Sequence, residues 1–337
     1  MLRNVFCFPP LHTDMGMKRH SALTHPIGRL SAAALALCLL TAGIRGCAIS
    51  REQQQAASPQ IAVFSEGEVL TMPLNEYLIG VVGGEMPASF PLEALKAQAV
   101  AARTYAVRRM ACYGGEGCGK GGADICTDSA CCQAYTAPPE LEEGFGENAR
   151  RYMDKLAEAV YSTDGQVILY NGAPIEALYH SSAGGRTEDA QNVFSSVLPY
   201  LVSVSSPGEE GGRYHGEKEY TPKEFAAAVN EKWPKAKLER KKLSSQVEIL
   251  SRYQSGQVEK LRLNKVTVSG KELRKLLGLN SANFTIDISD SVLIRTTGYG
   301  HGVGMSQYGA RAMALEGADH KDILTHYYTG VKVERME

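Results

Sequence analysis

A short helix that ends in an acidic residue is the first element that the hydrophobic pattern predicts. Residues 78–84 are mostly apolar, and Leu78, Val81 and Glu85 recur at the spacing of one helix face. Asn75 is expected to cap this helix, which should end before the next proline. The pattern therefore predicts a carboxyl group on an apolar helix face.

A second, longer helix is predicted after Pro91, which suits the first position of a helix. The residues that follow are strong helix formers without glycine. Arg103 lies off the apolar stripe of this helix, on the same face as Lys96. The stripe that we expect to be buried consists of Leu92, Leu95, Ala99, Ala102, Ala106 and Met110.

The rest of the chain predicts helices and strands in irregular alternation. Residues 111–146 are rich in glycine and cysteine and indicate a long loop. The other predicted helices cover 150–161, 221–233, 269–278, 306–317 and a last stretch that ends at 330. The predicted strands cover 61–71, a hairpin of 166–170 with 176–179, and then 246–253, 258–268 and 292–297. Irregular interleaving without an internal repeat is typical of the α+β class.

Composition narrows the class of protein. The chain has 337 residues, of which 44% are hydrophobic and 22% are charged, and its formal net charge is -1. These values are ordinary for a globular protein with a hydrophobic core. Positive and negative residues are mixed throughout, without the basic stripe of a nucleic-acid-binding protein. We therefore expect no nucleic-acid partner.

An apolar run over residues 30–44 follows the basic residues Lys18, Arg19 and Arg29. The run is shorter than the ~20 residues that a spanning helix prefers. It is therefore either the core of a signal peptide or a short membrane anchor, and we favour an uncleaved anchor. The basic residues place the N-terminus in the cytoplasm and the chain after Cys47 outside it.

One folded, extracytoplasmic domain is expected behind this N-terminal segment. The start of translation, Met1 or Met17, stays open because residues 1–16 carry no recognisable pattern. A stretch rich in Gln, Ala and Ser separates the apolar run from the first predicted strand and indicates a linker. The expected order is a cytoplasmic N-terminus over 1–29, an anchor or signal segment over 30–46, a linker over 47–60 and the domain over 61–337.

Glu85 is the strongest candidate for chemistry. Acidic residues are almost never fully buried unless they are paired. A carboxyl group on an apolar face has its charged form destabilised, so the pKa of Glu85 should rise. A raised pKa is what a general acid near neutral pH requires. The alternative is a solvated glutamate at a frayed helix end.

Five cysteines lie close together between residues 112 and 132. Outside the cytoplasm a disulfide is the default expectation, but the number is odd and two of the cysteines are adjacent. Thiolates at this spacing could instead hold zinc in a tetrahedral site. The spacing leaves zinc and disulfide equally open. The cysteines are Cys112, Cys118, Cys126, Cys131 and Cys132.

Two further polar segments are candidates for binding. The glycine-rich residues 298–304 follow a predicted strand but lack the acidic residue of a dinucleotide-binding fingerprint. His301 within them is either a substrate-binding donor or a structural histidine. Ser182 and His180 lie in a second flexible segment, but nothing there resembles a nucleophile elbow. A serine nucleophile is therefore disfavoured.

Six segments resemble, in the same order, the stage II sporulation protein D family. A set of six in one order is far more specific than any single motif, and the resemblance covers about residues 61–337. The segments are residues 73–78 with 84–87, 96–105, 128 with 133–135, 180–185, 199–201 with 206–207, and 300–310.

The resemblance implies a lytic transglycosylase that is anchored in the membrane. Such an enzyme cleaves peptide-stripped glycan strands of peptidoglycan, leaving 1,6-anhydro-muramic ends, during engulfment of the forespore. The family's catalytic acid falls on Glu85, and its important arginine falls on Arg103. This chain has Val202 where many relatives have lysine. The substrate-binding residues implied are Tyr200, His301, Gln307 and Ser182.

The resemblance also favours zinc. Some relatives bind zinc through one histidine and two cysteines, and Cys126 with Cys132 match the two cysteines. Lys120 stands at the histidine position, so Cys118 is the nearest substitute. Cys131 or Cys112 would complete the set, and the zinc would be structural.

A lytic transglycosylase needs only one carboxyl group, whereas most glycosidases use two. The alternative function is a glycan-binding module that stimulates a partner amidase without catalysis. The implied partners are glycan strands, a peptide-stripping amidase and a membrane scaffold protein, and a homodimer stays open.

Overall fold

The structure is a computed structural model that describes residues 58–211 and 214–336. The predicted anchor or signal segment and most of the predicted linker lie outside these residues. Within them, no helix combines the length and the apolar character that a membrane span needs.

The described residues form mixed helices and strands, so the predicted α+β class is confirmed. The helices are α1 (Leu74–Glu85), α2 (Leu92–Val107), α3 (Pro138–Phe145), α4 (Ala149–Ser162), α5 (Ala190–Phe194), α6 (Pro222–Lys232), α7 (Leu243–Gln246), α8 (Gly270–Leu277), α9 (Gln307–Leu315) and α10 (His320–Tyr327). The strands are β1 (Gln60–Ser65), β2 (Glu68–Pro73), β3 (Ile125–Cys126), β4 (Gln166–Tyr170), β5 (Ala173–Pro174), β6 (Tyr179–His180), β7 (Gly185–Arg186), β8 (Ser205–Ser206), β9 (His215–Tyr220), β10 (Val247–Arg252), β11 (Val258–Leu263), β12 (Val266–Val268), β13 (Phe284–Ile288), β14 (Val292–Thr297), β15 (Met305–Ser306) and β16 (Lys332–Arg335).

Helix α2 is the centre of the main hydrophobic core. It packs against α1, α4, α9, α10 and β4. Every residue from 97 to 107 is buried, because small alanines let neighbouring elements approach the helix on several sides. The predicted apolar stripe is therefore too narrow a description of this helix.

A second hydrophobic core lies within residues 215–294. It is built from two three-stranded sheets, β10-β11-β12 and β13-β14-β9, with α6 and α8. The glycine-rich segment joins the two cores: Gly300 N–H donates to the Asn280 carbonyl over 3.0 Å, and the Gln257 amide donates to the His301 carbonyl over 3.1 Å. The sequence patterns did not separate these two cores.

The helix starts predicted at residues 221, 269 and 306 and the helix end predicted at residue 278 are confirmed, because they depend on neighbouring residues. Thr221 and Ser269 form capping boxes at the starts of α6 and α8. Ser306 caps α9, accepting from the Gly309 N–H over 3.1 Å. Gly278 ends α8 in the left-handed conformation, with φ 60°.

The predicted strand 61–71 is wrong in its length, because it is a hairpin of β1 and β2. The chain turns at Glu66 and Gly67, which have φ values of 51° and 94°. Asn75 is also not the helix cap, since Pro73 occupies that position. The Asn75 amide instead donates to Asp164 over 2.8 Å from a buried position.

Two other expectations about strands and loops are corrected. Strand β4 pairs with β5 and β16 rather than with residues 176–179. Strand β6 instead pairs in parallel with β15, which places the polar segment after residue 180 beside the start of α9. The predicted loop 111–146 contains helix α3, which begins at a pair of prolines.

Candidate active site

A cleft of about 900 Å³ opens between several separate segments of the chain. Helix α1 contributes its C-terminal end, and helix α9 contributes its N-terminal end. The cysteine-containing loop, strand β6, the glycine-rich segment, Tyr105 of α2 and Phe194 of α5 form the remaining walls. The residues that line the cleft include Glu85, Cys131, Cys132, Gln133, Tyr179, His180, Phe194, His301 and Gln307.

Glu85 is the last residue of α1, and its half-buried carboxyl group lies at the cleft. Its Oε1 accepts a hydrogen bond from the Ala134 N–H over 2.7 Å. Burial raises the pKa of Glu85, although hydrogen bonds with Ala134, Gln307 and Tyr179 oppose this effect. Glu85 is therefore not a solvated residue at a frayed helix end. It is a carboxyl group that keeps its proton to a higher pH than an ordinary glutamate.

A chain of aromatic and amide groups holds the loop that faces Glu85. The Tyr179 hydroxyl donates to Gln133 Oε1 over 2.7 Å, and the Gln133 amide donates to the Tyr77 hydroxyl over 3.3 Å. Tyr77 is fully buried on α1 and stacks on Tyr135, with 5.6 Å between ring centroids. These contacts position the Ala134 N–H against the carboxyl group.

Glycines allow the close approaches that build this cleft. A Cβ atom on Gly80 would lie 2.4 Å from the Tyr135 ring, so glycine lets the loop lie directly on α1. At Gly304, φ is +73° and a Cβ would lie 2.0 Å from the Leu178 carbonyl. The glycine-rich segment therefore serves close packing of main chain against main chain.

His301 lines the cleft, where its imidazole is neutral. Its Nδ1 accepts from the Val303 N–H over 3.0 Å, and the ring also hydrogen-bonds the main chain of Tyr179. Burial lowers the pKa of His301 to about 3. These contacts give His301 a structural role in the wall of the cleft. Gln307 lies opposite, at the start of α9, and hydrogen-bonds the Glu85 carboxyl.

Arg103 does not lie beside Glu85. It is 2% exposed, and its guanidinium donates to the carbonyls of Thr163 and Val160 over 2.8 and 3.0 Å. Burial lowers the pKa of Arg103 to about 10. Within the described part of the chain it is not a cleft-lining residue. Arg103, which the family resemblance marks as important, is therefore an interior anchor for the end of α4 rather than a group of the cleft.

Tyr200 and Ser182 also lie away from the cleft that the described residues form. The Tyr200 hydroxyl accepts from the Glu176 N–H over 3.1 Å. The Ser182 hydroxyl donates over 3.2 Å to the buried carboxyl group of Glu209. Glu209 also accepts from the main-chain N–H groups of residues 183–185. Both predicted binding residues therefore have structural contacts here.

The cysteine loop brings sulfur atoms together beside the cleft. The Sγ atoms of Cys118, Cys126 and Cys132 all lie within 4.8 Å of one another. Cys131 Sγ lies 3.8 Å from Cys132 Sγ. In the described part of the chain, no disulfide joins any of the cysteines. The described cysteines therefore do not form the disulfide that is the alternative to zinc. Cys112 packs against the main core.

Lys120 stands where some relatives have a zinc-binding histidine, and it is not a member of this sulfur cluster. Its ammonium group forms an exposed ion pair with Asp128 over 2.9 Å. Cys118 supplies the third sulfur of the cluster, and its role as a zinc ligand stays a prediction.

Comparison with known proteins identifies the family. The family model "Stage II sporulation protein" matches residues 65–170, which include Glu85 and the cysteine loop. Stage II sporulation protein D of Bacillus subtilis (strain 168) is 38% identical over 290 residues, covering 85% of this chain and 82% of that protein. This chain belongs to the stage II sporulation protein D family. The Bacillus amyloliquefaciens protein of the same name is 36% identical over 282 residues, covering 81% of this chain and 77% of its own length.

A relative with another role also matches. The "Amidase enhancer" of Bacillus subtilis (strain 168) is 30% identical over 302 residues, covering 75% of this chain but 39% of that protein. The matches to the family model and to stage II sporulation protein D confirm the family resemblance of the six segments, together with the link to sporulation that the family name carries.

Sequence spacing did not place three groups at the site of this family member: the Ala134 N–H, Tyr179 and His180. Each lies in or next to a segment that resembles the family. Their sequence separations from Glu85 span tens of residues, so no local pattern placed them beside it. The resemblance itself was the one signal that could have pointed to them.

Proposed function

We propose that this protein is a lytic transglycosylase that cleaves glycan strands of peptidoglycan during the engulfment stage of sporulation. The observation that carries the proposal is the environment of Glu85. Of the described residues that line the cleft, Glu85 alone carries a carboxyl group. Hydrolysis by the usual routes needs two carboxyl groups at the scissile bond, so a single acid supports intramolecular attack.

The reaction would proceed in two proton transfers through the same carboxyl group. Glu85 donates its proton to the glycosidic oxygen as the bond from that oxygen to C1 of the muramic sugar breaks. The carboxylate then takes the proton from the 6-hydroxyl of the same sugar, and O6 bonds to C1. Proximity favours this step because both reacting atoms belong to one sugar. The Ala134 N–H stabilises the carboxylate between the two transfers.

Two other carboxyl groups, those of Glu188 and Asp189, are held by structural contacts. Glu188 is buried and accepts from the Asn192 amide over 2.8 Å and from the Ser255 hydroxyl. Asp189 accepts from the Ser203 N–H over 2.7 Å. Since these contacts tie both residues to structural partners, the proposal uses neither of them.

A second candidate function is a glycan-binding module that stimulates a partner amidase. The relative named "Amidase enhancer" favours it. Incubating purified protein with peptide-stripped glycan, without any amidase, separates the two. Shortening of the strands supports the transglycosylase. Unchanged strands, together with faster release of peptides when an amidase is added, would favour the enhancer.

The cellular setting is part of the proposal and rests on the family resemblance. We propose that an N-terminal anchor holds the domain at the outer face of the membrane, where glycan strands are accessible. A peptide-stripping amidase would supply the substrate, and a membrane scaffold protein would localise the enzyme.

We also propose that the sulfur cluster holds one structural zinc ion. Cys118, Cys126 and Cys132 would bind it, with Cys131 as the fourth ligand. The donor set fits, because thiolates at ~2.3 Å from a tetrahedral zinc ion lie about 3.8 Å apart. The sulfurs of Cys118, Cys126 and Cys132 lie within 4.8 Å of one another, and Cys131 Sγ lies 3.8 Å from Cys132 Sγ. Zinc would crosslink a loop with little hydrophobic content, and that loop carries the N–H that contacts Glu85.

Zinc content provides a direct test. We expect metal analysis of reduced, purified protein to find about one zinc ion per chain, and the Cys126→Ser variant to lose it. Chelation should lower Tm and loosen residues 111–135, because metal binding stabilises the folded loop. Cys112→Ser is the matched control and should retain zinc. Wild-type protein that lacks zinc, or a Cys126→Ser variant that keeps it, would contradict the proposal.

A further inference from the structure

Three rings stand in a row along one wall of the cleft. Phe194, His301 and His180 all line it. The centroids of Phe194 and His301 lie 5.4 Å apart, and those of His301 and His180 lie 5.5 Å apart. The row runs from an exposed ring, Phe194, to a buried one, His180. None of these rings has a role in the proton transfers proposed for Glu85.

His180 has one ring nitrogen without a partner. Its Nδ1 lies 3.1 Å from the Val303 carbonyl, and since a carbonyl only accepts, Nδ1 carries the hydrogen. Burial lowers the pKa of His180 to about 4, so the ring is neutral and Nε2 presents a lone pair. The residue is 5% exposed, and within the described part of the chain Nε2 has no hydrogen-bond partner. His180 lines the cleft, and a buried polar atom without a partner calls for one that the described residues do not supply.

Phe194 supplies the apolar surface at the other end of the row. It is 43% exposed although it lines the cleft. The second core holds its position: the Lys271 ammonium donates to the Val193 carbonyl and lies 5.8 Å from the Phe194 ring. Binding sites for small molecules typically combine aromatic surface with a few positioned polar atoms. The row of rings combines aromatic surface, from Phe194, with a positioned polar atom, His180 Nε2.

We propose that this row is a sugar-binding subsite of the cleft. The Phe194 ring packs against the C–H face of one N-acetylhexosamine of the glycan strand. His180 Nε2 accepts a hydrogen bond from a hydroxyl or acetamido N–H of the bound strand, and His301 holds the two rings apart. This inference rests on the proposed glycan substrate. It assigns binding, rather than proton transfer, to His180 and Phe194.

Binding to an inactive protein tests the subsite separately from cleavage. The probe is purified, peptide-stripped glycan oligosaccharide, and calorimetry measures its Kd for the full-length Glu85→Gln protein. Adding Phe194→Ala or His180→Asn should weaken binding about 5- to 10-fold each, as expected for the loss of one contact. Asparagine can still donate to the Val303 carbonyl, so His180→Asn keeps that contact while it removes the imidazole ring and its Nε2 lone pair.

Two controls make the result specific. Tyr113→Ala removes an aromatic ring that is 41% exposed and lies outside the residues lining the cleft, and it should leave Kd unchanged. His180→Gln can place an amide oxygen near the position of Nε2, and it should bind more tightly than His180→Asn. Because Phe194 is exposed, its alanine variant should fold normally even if a variant at His180 does not.

The outcomes separate this inference from the proposed function. Unchanged Kd in both Phe194→Ala and His180→Asn would overturn the subsite and leave the proposed reaction standing. A Glu85→Gln protein that binds no glycan at all would overturn both. A loss of affinity that Tyr113→Ala shares would also count against the subsite.

Discussion

Replacing Glu85 by glutamine is expected to slow glycan cleavage by about 10²- to 10⁴-fold, the usual loss when a general acid is removed. Glutamine keeps the size of the side chain and an oxygen that can accept from the Ala134 N–H. It has no proton that can be transferred to the glycosidic oxygen. The fold should therefore survive while turnover falls, and kcat on peptide-stripped glycan measures the loss.

The matched control for this variant is Glu76→Gln. Glu76 lies in the first turn of the same helix and is not one of the described residues that line the cleft. Its replacement should leave kcat close to that of the wild-type protein. Thermal unfolding of both variants checks that the fold is intact. Near-normal turnover in Glu85→Gln would reject Glu85 as the acid.

Replacing Arg103 by methionine is expected to reduce the free energy of unfolding by about 2–4 kcal/mol. Methionine fills part of the space but cannot donate to the carbonyls of Thr163 and Val160. A buried acceptor that loses its partner costs about 1–3 kcal/mol. Lysine keeps a donor but not the planar group that reaches both carbonyls, so Arg103→Lys should lose less stability.

Stability and turnover together decide what Arg103 does. Urea unfolding gives the stability change, and kcat of the folded fraction gives the effect on chemistry. Arg108→Met, at the residue that follows the last residue of the same helix, is the control. Arg108 forms an exposed ion pair with Glu176 over 3.1 Å, and pairs of this kind contribute about 0–1 kcal/mol. Normal stability with a large loss of kcat in Arg103→Met would restore a catalytic role to this arginine.

Features that depend on neighbouring residues were predictable from the sequence. The face of α1 that carries Glu85 followed from helical spacing, and the capping boxes at Thr221 and Ser269 followed from short polar motifs. The turn at Glu66 and Gly67 was also visible in the sequence as a glycine after a polar residue. The predicted strand runs through this turn because apolar residues lie on both sides of it.

Features that depend on tertiary contacts were not predictable from spacing. Ala134 is 49 residues from Glu85 in sequence, and its contact exists only because the loop lies on α1. Residue spacing predicts that Arg103 lies on a face of α2 outside the apolar stripe, yet every residue from 97 to 107 of this helix is buried. The many alanines around it were a sign of close packing on more than one face. Residue spacing predicts which face of a helix a residue lies on, but not which element packs against that face.

The chemistry of the new chain ends tests the central proposal most directly. Mass spectrometry of peptide-stripped glycan, treated with the purified protein, identifies these ends. The account predicts 1,6-anhydro-muramic ends that borohydride does not reduce, because the 6-hydroxyl attacks in place of water. Products heavier by one water molecule and reducible by borohydride would show hydrolysis and contradict it.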